Sequence, residues 1–185
     1  QQQAAEQERA AIQIEKDRVL TLANTHPMIQ AVVSGELKFY IEPLPWYAAP
    51  NVNSGVNEIA QILSAWNPYD ATMSRVYSSS NADLVVSWVK DYGTHVLGES
   101  IYKSYIKVGL GTDNCRGDWM AFDANTVKKV LWHEIGHSMG YSHSSDPTNV
   151  MYRNTTTHFY IEQYISDTIA SGWYQIFPLC GSGQV

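Results

Sequence analysis

The chain has 185 residues, a formal net charge of −6 at pH 7 and 44% hydrophobic residues. This composition suits one packed globular domain rather than a disordered chain. The acidic balance argues against nucleic acid as the main partner, because binding to phosphates needs a basic face. No stretch approaches the roughly 18 consecutive apolar residues that a membrane-spanning helix requires.

The first 34 residues read as a helical extension that precedes the main domain. Residues 1–23 are rich in Gln, Ala, Glu and Arg, which favour helix, and a second apolar stretch follows Pro27. Three interpretations fit this segment: a helix packed on the domain, a pro-segment, and a spacer from a membrane anchor. Because the chain begins at Gln1 rather than at Met, we also expect that an upstream signal or anchor was removed.

The middle of the chain alternates predicted strands with a predicted helix. Apolar alternation and short apolar runs predict strands over 37–42, 74–78, 82–89 and 105–110. Apolar residues at helical spacing predict an amphipathic helix over 55–67, which Pro68 ends. Residues 111–117 read as a loop.

A dense motif follows, in which His133, Glu134, His137, Gly140 and His143 stand at the spacing H-E-x-x-H-x-x-G-x-x-H. Residues four apart lie on one face of a helix, so His133 and His137 can grip one metal ion. Gly140 can adopt a left-handed conformation that turns the chain and brings His143 back as a third ligand. Three neutral imidazoles with one open position are the arrangement of catalytic zinc, and Glu134 stands close enough to act on water at the metal.

These residues, with the string D-P-x-x-x-M-Y that begins at Asp146, resemble the metzincin zinc peptidases and in particular their matrixin branch. The resemblance is carried by residues 82–152. It implies an α/β (α+β) catalytic domain with a mixed five-stranded sheet, an active-site helix, a methionine turn at Met151 and a C-terminal helix. Apolar residues at helical spacing over 161–173 agree with the last of these.

The same resemblance implies the domain boundaries. After the extension 1–34, the catalytic domain is expected to span 35–185, with an upper subdomain 35–140 and a lower subdomain 141–185.

The function that the resemblance implies is a zinc-dependent endopeptidase acting on extended peptide or protein substrates. One zinc ion is expected, with Glu134 as the general base that later returns the proton to the leaving amine. Gly140 is expected to position the third histidine, and Met151 to shape the floor of the metal site. We expect a monomer that works outside the cytoplasm, secreted or anchored at the cell surface.

Substrate contacts are also implied by the resemblance. Residues 94–100 look like the edge strand above the cleft, so His95, Val96, Leu97 and Gly98 are expected to contact substrate. His95 as a further metal ligand is the alternative for that residue. Tyr152 is expected to line the pocket that follows the scissile bond.

Two cysteines, Cys115 and Cys180, leave three alternatives open. From an even, low count we expect one Cys115–Cys180 disulfide that ties the tail to the domain of an exported protein, with two free thiols as the simple alternative. The string Pro178–Gly181 shares the P-x-C-G core of the matrixin latency motif, so Cys180 as a zinc-bound thiolate is the third. The alternative function is therefore a latent or regulatory zinc protein whose cleft is blocked by residues 1–34 or by this tail.

Overall fold

The computed structural model describes residues 2–92, 96–113, 118–156 and 182–184. The first half of the chain forms α1 (Gln2–Leu22), α2 (Pro27–Val33), β1 (Glu36–Ile41), α3 (Val52–Asn57), α4 (Ile59–Ala65), β2 (Thr72–Arg75) and β3 (Leu84–Val89). The second half forms β4 (Gly98–Ile101), β5 (Tyr105–Gly109), β6 (Gly111–Asp113), β7 (Trp119–Ala121), α5 (Ala124–Ser138), β8 (Asn154–Thr156) and β9 (Ser182–Gln184).

Five strands form one mixed sheet in the order β2-β1-β3-β5-β4. The first four strands of that order run parallel, and β4 runs antiparallel to β5 at the edge. In β1 the core-facing side chains are Leu37, Phe39 and Ile41, because alternate residues of a strand point to one face. The predicted α/β fold with a mixed five-stranded sheet is confirmed.

Helix α5 is the element that carries the motif, and it packs on β4, β5 and α3. It begins at the cap Asp123, whose side chain accepts a hydrogen bond of 2.8 Å from the backbone N–H of Thr126. The helix ends at Ser138, and Gly140 follows with φ +81°. This left-handed conformation is the turn that the sequence predicted.

Helix α1 is attached over its second half alone. Residues 2–14 are all exposed, whereas Val19 is completely buried. No helix in the described part of the chain, α1 included, is both long enough and apolar enough to cross a membrane.

The helix predicted over 55–67 is wrong in its continuity, because α3 and α4 are separate helices that meet at Glu58. The Glu58 carbonyl accepts the first hydrogen bonds of α4, from Gln61 and Ile62. Its carboxylate forms an ion pair with Lys128 of α5. This contact joins the helix junction to α5 across 70 residues, which local apolar spacing does not reveal.

Several strand boundaries differ from the prediction. The strand predicted over 74–78 lies at Thr72–Arg75, and the one predicted from 82 begins at Leu84 after a 3-10 turn. The loop predicted over 111–117 is wrong for its first part, since 111–113 pair with 119–121 as a hairpin. Three-residue strands are too short to show a period in the sequence. The helix predicted over 161–173, Cys115 and Cys180 lie outside the described residues.

Candidate active site

The three predicted metal ligands come together at the end of α5. Nε2 of His137 lies 3.0 Å from Nε2 of His133 and 3.2 Å from Nε2 of His143. His133 is buried, His137 is half-buried and His143 is exposed, so the cluster opens to solvent on the His143 side. The helical spacing of four and the left-handed Gly140 together explain this convergence.

Backbone carbonyls orient two of the imidazoles. Nδ1 of His133 lies 2.8 Å from the carbonyl oxygen of Val150, and Nδ1 of His137 lies 2.8 Å from that of Tyr141. A carbonyl oxygen only accepts, so each Nδ1 carries the proton and donates it. Both Nε2 atoms are therefore left with a lone pair, and these lone pairs face each other. This is how proteins fix histidines that bind metal.

Burial also keeps two of the imidazoles neutral. Burial, with smaller contributions from the neighbouring His137 and His143, lowers the pKa of His133 to about 4. Burial likewise lowers the pKa of His137. Metal ligands must be unprotonated, so both residues are ready to bind a cation at neutral pH.

The donor set fits one zinc ion. Tetrahedral zinc with Zn–N distances of about 2.0–2.1 Å requires ligand nitrogens about 3.3 Å apart. The separations of 3.0 and 3.2 Å lie close to that value. Lone pairs this close repel each other without a cation between them, and the exposed His143 leaves one side of the cluster in contact with solvent.

Glu134 follows His133 directly in α5 and carries a buried carboxylate. The residue is 1% exposed, and its Oε1 atom has no hydrogen-bond partner. Burial, with a smaller contribution from the Glu99 carboxylate, raises the pKa of Glu134 to about 8. A buried polar atom without a partner is costly and rare, which makes Glu134 a candidate functional residue.

The methionine turn is a compact, hydrogen-bonded unit beneath α5. The Met151 N–H donates to Oδ1 of Asn149 at 2.8 Å, and its carbonyl accepts from the Ser144 N–H at 2.8 Å. Met151 is 3% exposed, and its Sδ packs directly on Gly136 of the helix. A side chain at 136 would overlap that sulfur, so Gly136 and Met151 fit together as a pair.

The predicted substrate residues fall at the sheet edge and beside the metal cluster. Val96 is exposed and Leu97 is buried, while His95 lies outside the described residues. Gly98 lies against α5, where a Cβ atom would come within 2.9 Å of the Glu134 side chain. Close packing against α5 therefore explains why position 98 is glycine, which the sequence did not suggest.

Tyr152 lines a pocket of about 370 Å³ beside His133. The pocket is enclosed by residues of α5 and of the methionine turn, namely Lys129, Trp132, His133, Pro147, Thr148, Asn149, Val150, Tyr152 and Asn154. Lys129 and Trp132 were missed by the sequence reasoning. The signal for Lys129 was present, since it precedes His133 by one helical turn and so shares its face.

Comparison with known proteins agrees with this geometry. The matrixin family model, of the M10 peptidases, matches residues 6–168. Over 30 residues the chain is 53% identical to the probable matrix metalloproteinase 095L of Invertebrate iridescent virus 3. That stretch covers 16% of this chain and 8% of the viral protein, so the chain spans a small part of that relative. Because the family match covers most of the chain, the chain belongs to the matrixin family of zinc metallopeptidases.

Proposed function

We propose that the protein is a zinc-dependent endopeptidase that hydrolyses peptide bonds in extended protein or peptide substrates. The observation that carries the proposal is the convergence of three Nε2 atoms at the end of α5, where the buried Glu134 directly follows the ligand His133. Family membership supports the same chemistry. Here His133, His137 and His143 hold a single zinc ion.

Bound zinc supplies Lewis acidity, which lowers the pKa of water and polarises the substrate carbonyl. Glu134 would accept a proton from the attacking water through its carboxylate and pass it to the leaving amine. Burial raises the pKa of Glu134 to about 8 in the metal-free chain, and a cation held by the imidazoles would favour the carboxylate form that accepts the proton. The carbonyls of Val150 and Tyr141 keep the imidazoles in place during the reaction. Met151, packed on Gly136, supports the floor of the site.

The outer edge of β4 is the proposed docking site for the substrate backbone. Among the described strands β4 pairs with β5 alone, so its other edge offers free N–H and C=O groups to an extended peptide. We assign substrate contacts to His95, Val96, Leu97 and Gly98 because the matrixin resemblance expects the substrate at this point of the chain, and Gly98 is the first residue of β4.

The pocket lined by Tyr152 is proposed to receive the side chain that follows the scissile bond. Of its described lining residues, Lys129 is the cation and none is a carboxylate. Thr148, Asn149 and Asn154 are the uncharged polar residues of the lining. Such a lining favours an acidic side chain over a basic one, because opposite charge attracts the ligand and like charge repels it.

The latent protein is the alternative. The described contacts of α1 with the end of α5 go to Met139, Gly140 and Tyr141 rather than to the imidazoles. The alternative in which Cys180 blocks the cleft involves a residue that lies outside the described residues. Intact protein that cleaves peptide at once favours the open peptidase, whereas activity that rises only with self-trimming favours latency.

We further propose the domain division at residue 34 and a monomer acting outside the cytoplasm on peptide or protein substrates. The support for location is that matrixins are usually secreted. The acidic charge of −6 supports the proposal that nucleic acid is not a partner.

The decisive variant is Glu134→Gln, which keeps the shape of the side chain but cannot accept a proton as a carboxylate does. We expect kcat for cleavage of an unfolded protein to fall about 10³-fold while one zinc per chain is retained. Zinc content by mass spectrometry and cleavage rate are measured on the same preparation. Cleavage at the wild-type rate by the zinc-loaded variant would refute the mechanism.

A further inference from the structure

The orientation of His137 depends on a turn that follows the active-site helix. Its Nδ1–H donates to the Tyr141 carbonyl, which lies beyond the last helical residue. Between them Gly140 has φ +81°, a conformation outside the helix. The position of this carbonyl is therefore set by whatever holds the turn Met139–Tyr141.

Arg18 of α1 holds that turn on both sides of the glycine. Its Nη2 donates to the Met139 carbonyl at 3.1 Å, and its guanidinium carbon lies 4.0 Å from the centre of the Tyr141 ring. The Met139 carbonyl is one of those left without a helical partner at a helix end, and a cation there also interacts favourably with the helix dipole. A planar guanidinium can do both at once.

Glu15 completes the contact. Its two carboxylate oxygens accept hydrogen bonds of 2.8 and 3.0 Å from Arg18, and Oε1 also accepts the Tyr141 hydroxyl. Leu22 lies so close that a Cβ atom at position 140 would stand 2.5 Å from its Cδ1. The turn thus meets α1 through a charged pair, a stacked ring and a close apolar contact.

Helix α1 is itself firmly attached at this point. Val19, one residue after Arg18, is completely buried, and the Tyr69 hydroxyl donates to the Lys16 carbonyl at 2.7 Å. On the other side, the Trp66 ring lies 4.6 Å from the Tyr141 ring. Residues 2–14 are exposed throughout, so the supporting part of α1 is 15–22.

We infer that residues 15–22 of α1 position His137 for the metal, with Arg18 as the positioning residue that acts through the Tyr141 carbonyl. The inference rests on the proposed zinc site. It gives the N-terminal segment a role opposite to that of a removable pro-segment. Loss of α1 would weaken the metal site instead of opening it.

The test compares Arg18→Met with Arg9→Met in the full-length chain. Met keeps most of the length of the side chain but removes the donors and the charge, and Arg9 is an exposed residue of the same helix. We expect Arg18→Met to bind zinc about 10-fold more weakly and to change the visible spectrum of the cobalt-loaded protein. Arg9→Met is expected to match the wild type in both.

A merely structural role predicts a different result. Arg18→Met would then lower the free energy of unfolding while zinc affinity and the cobalt spectrum stayed at wild-type values, and that result overturns the inference. If Arg18→Met does not fold, Tyr141→Phe removes the hydroxyl bond to Glu15 and keeps the carbonyl and ring. Unchanged zinc affinity in Tyr141→Phe would equally overturn the inference, whereas an affinity loss of about threefold supports it.

The affinity measurement separates this inference from the proposed function. A wild-type chain that binds zinc but cleaves no peptide contradicts the peptidase and leaves the role of Arg18 to be decided by the same affinities. A wild-type chain that binds no zinc contradicts both.

Discussion

The two long helices of this protein are built in opposite ways. Helix α1 has 21 residues, of which Val19 alone is buried, whereas α5 has 15 residues, nine of them buried. The first is helical because of its Ala, Gln and Glu content, and the second because the core packs around it. The buried residues of α5 include His133 and Glu134, whose burial is costly and which therefore indicate chemistry rather than packing.

The two helices meet at the point where α1 passes from fully exposed to partly buried. Up to residue 14 α1 lies in solvent, and from Glu15 to Leu22 it contacts the end of α5. The effect of a substitution in α1 should therefore depend on whether the residue lies in the first or the second half of the helix. In α5 the effect should depend on whether the residue lies on the buried or the exposed face.

The largest effect in this comparison is expected from Gly136→Ala on the packed face of α5. Ala favours helix by up to about 1 kcal/mol, but its Cβ would overlap Met151 Sδ and lie 3.2 Å from Trp66 Cζ2. Overpacking costs about 1–3 kcal/mol, so we expect a net loss in the free energy of unfolding. Urea unfolding of the metal-free protein measures it.

A double-mutant cycle isolates the cause. In a Met151→Ala background the sulfur is gone, and Gly136→Ala is expected to become neutral or stabilising. An equal loss in both backgrounds would show that Met151 is not what requires glycine at 136.

A smaller effect is expected on the exposed face of α5, at the pocket cation. Lys129→Glu should shift the ratio of kcat/KM for peptides with Glu or Lys after the scissile bond by about fivefold toward Lys, because reversing one charge changes a partly solvated interaction by about 1 kcal/mol. The matched control is Arg75→Glu, on β2 at the opposite edge of the sheet. A ratio that shifts equally in both variants would contradict a specific role for Lys129.

The smallest effect is expected in the exposed half of α1. Ala11→Gly carries a helix-propensity penalty of about 1 kcal/mol, but we expect the free energy of unfolding to change by less than about 0.5 kcal/mol, because fraying there exposes no core. Val19→Ala on the same helix is expected to cost about 2 kcal/mol. Similar losses from the two variants would mean that α1 is uniformly coupled to the core.

The sequence predicted those parts of the site that are encoded by residue type and spacing. The spacing of four between His133 and His137, and the glycine at 140, were sufficient to place three imidazoles together. The predicted edge strand was also found, although β4 begins at Gly98 and His95 lies outside the described residues.

The remainder depends on contacts that leave no local pattern. The ion pair of Glu58 with Lys128 connects the junction of α3 and α4 to a residue 70 positions away, and the hydrogen bond from Arg18 to Met139 connects residues 121 positions apart. Hydrogen bonding by a main-chain carbonyl is independent of residue type, so the roles of Val150 and Tyr141 could not be read from their side chains. The long-range side-chain contacts and the hydrogen bonds to backbone carbonyls both depend on which atoms the fold brings together, not on the local sequence.

That independence has a practical outcome for saturation mutagenesis. Every amino acid at positions 150 and 141 still supplies a backbone carbonyl oxygen. Such a scan would therefore report on the two side chains and would not test the carbonyl oxygens that face the imidazoles. Replacing the following amide by an ester, which turns each carbonyl into a poorer acceptor, would reach those atoms directly.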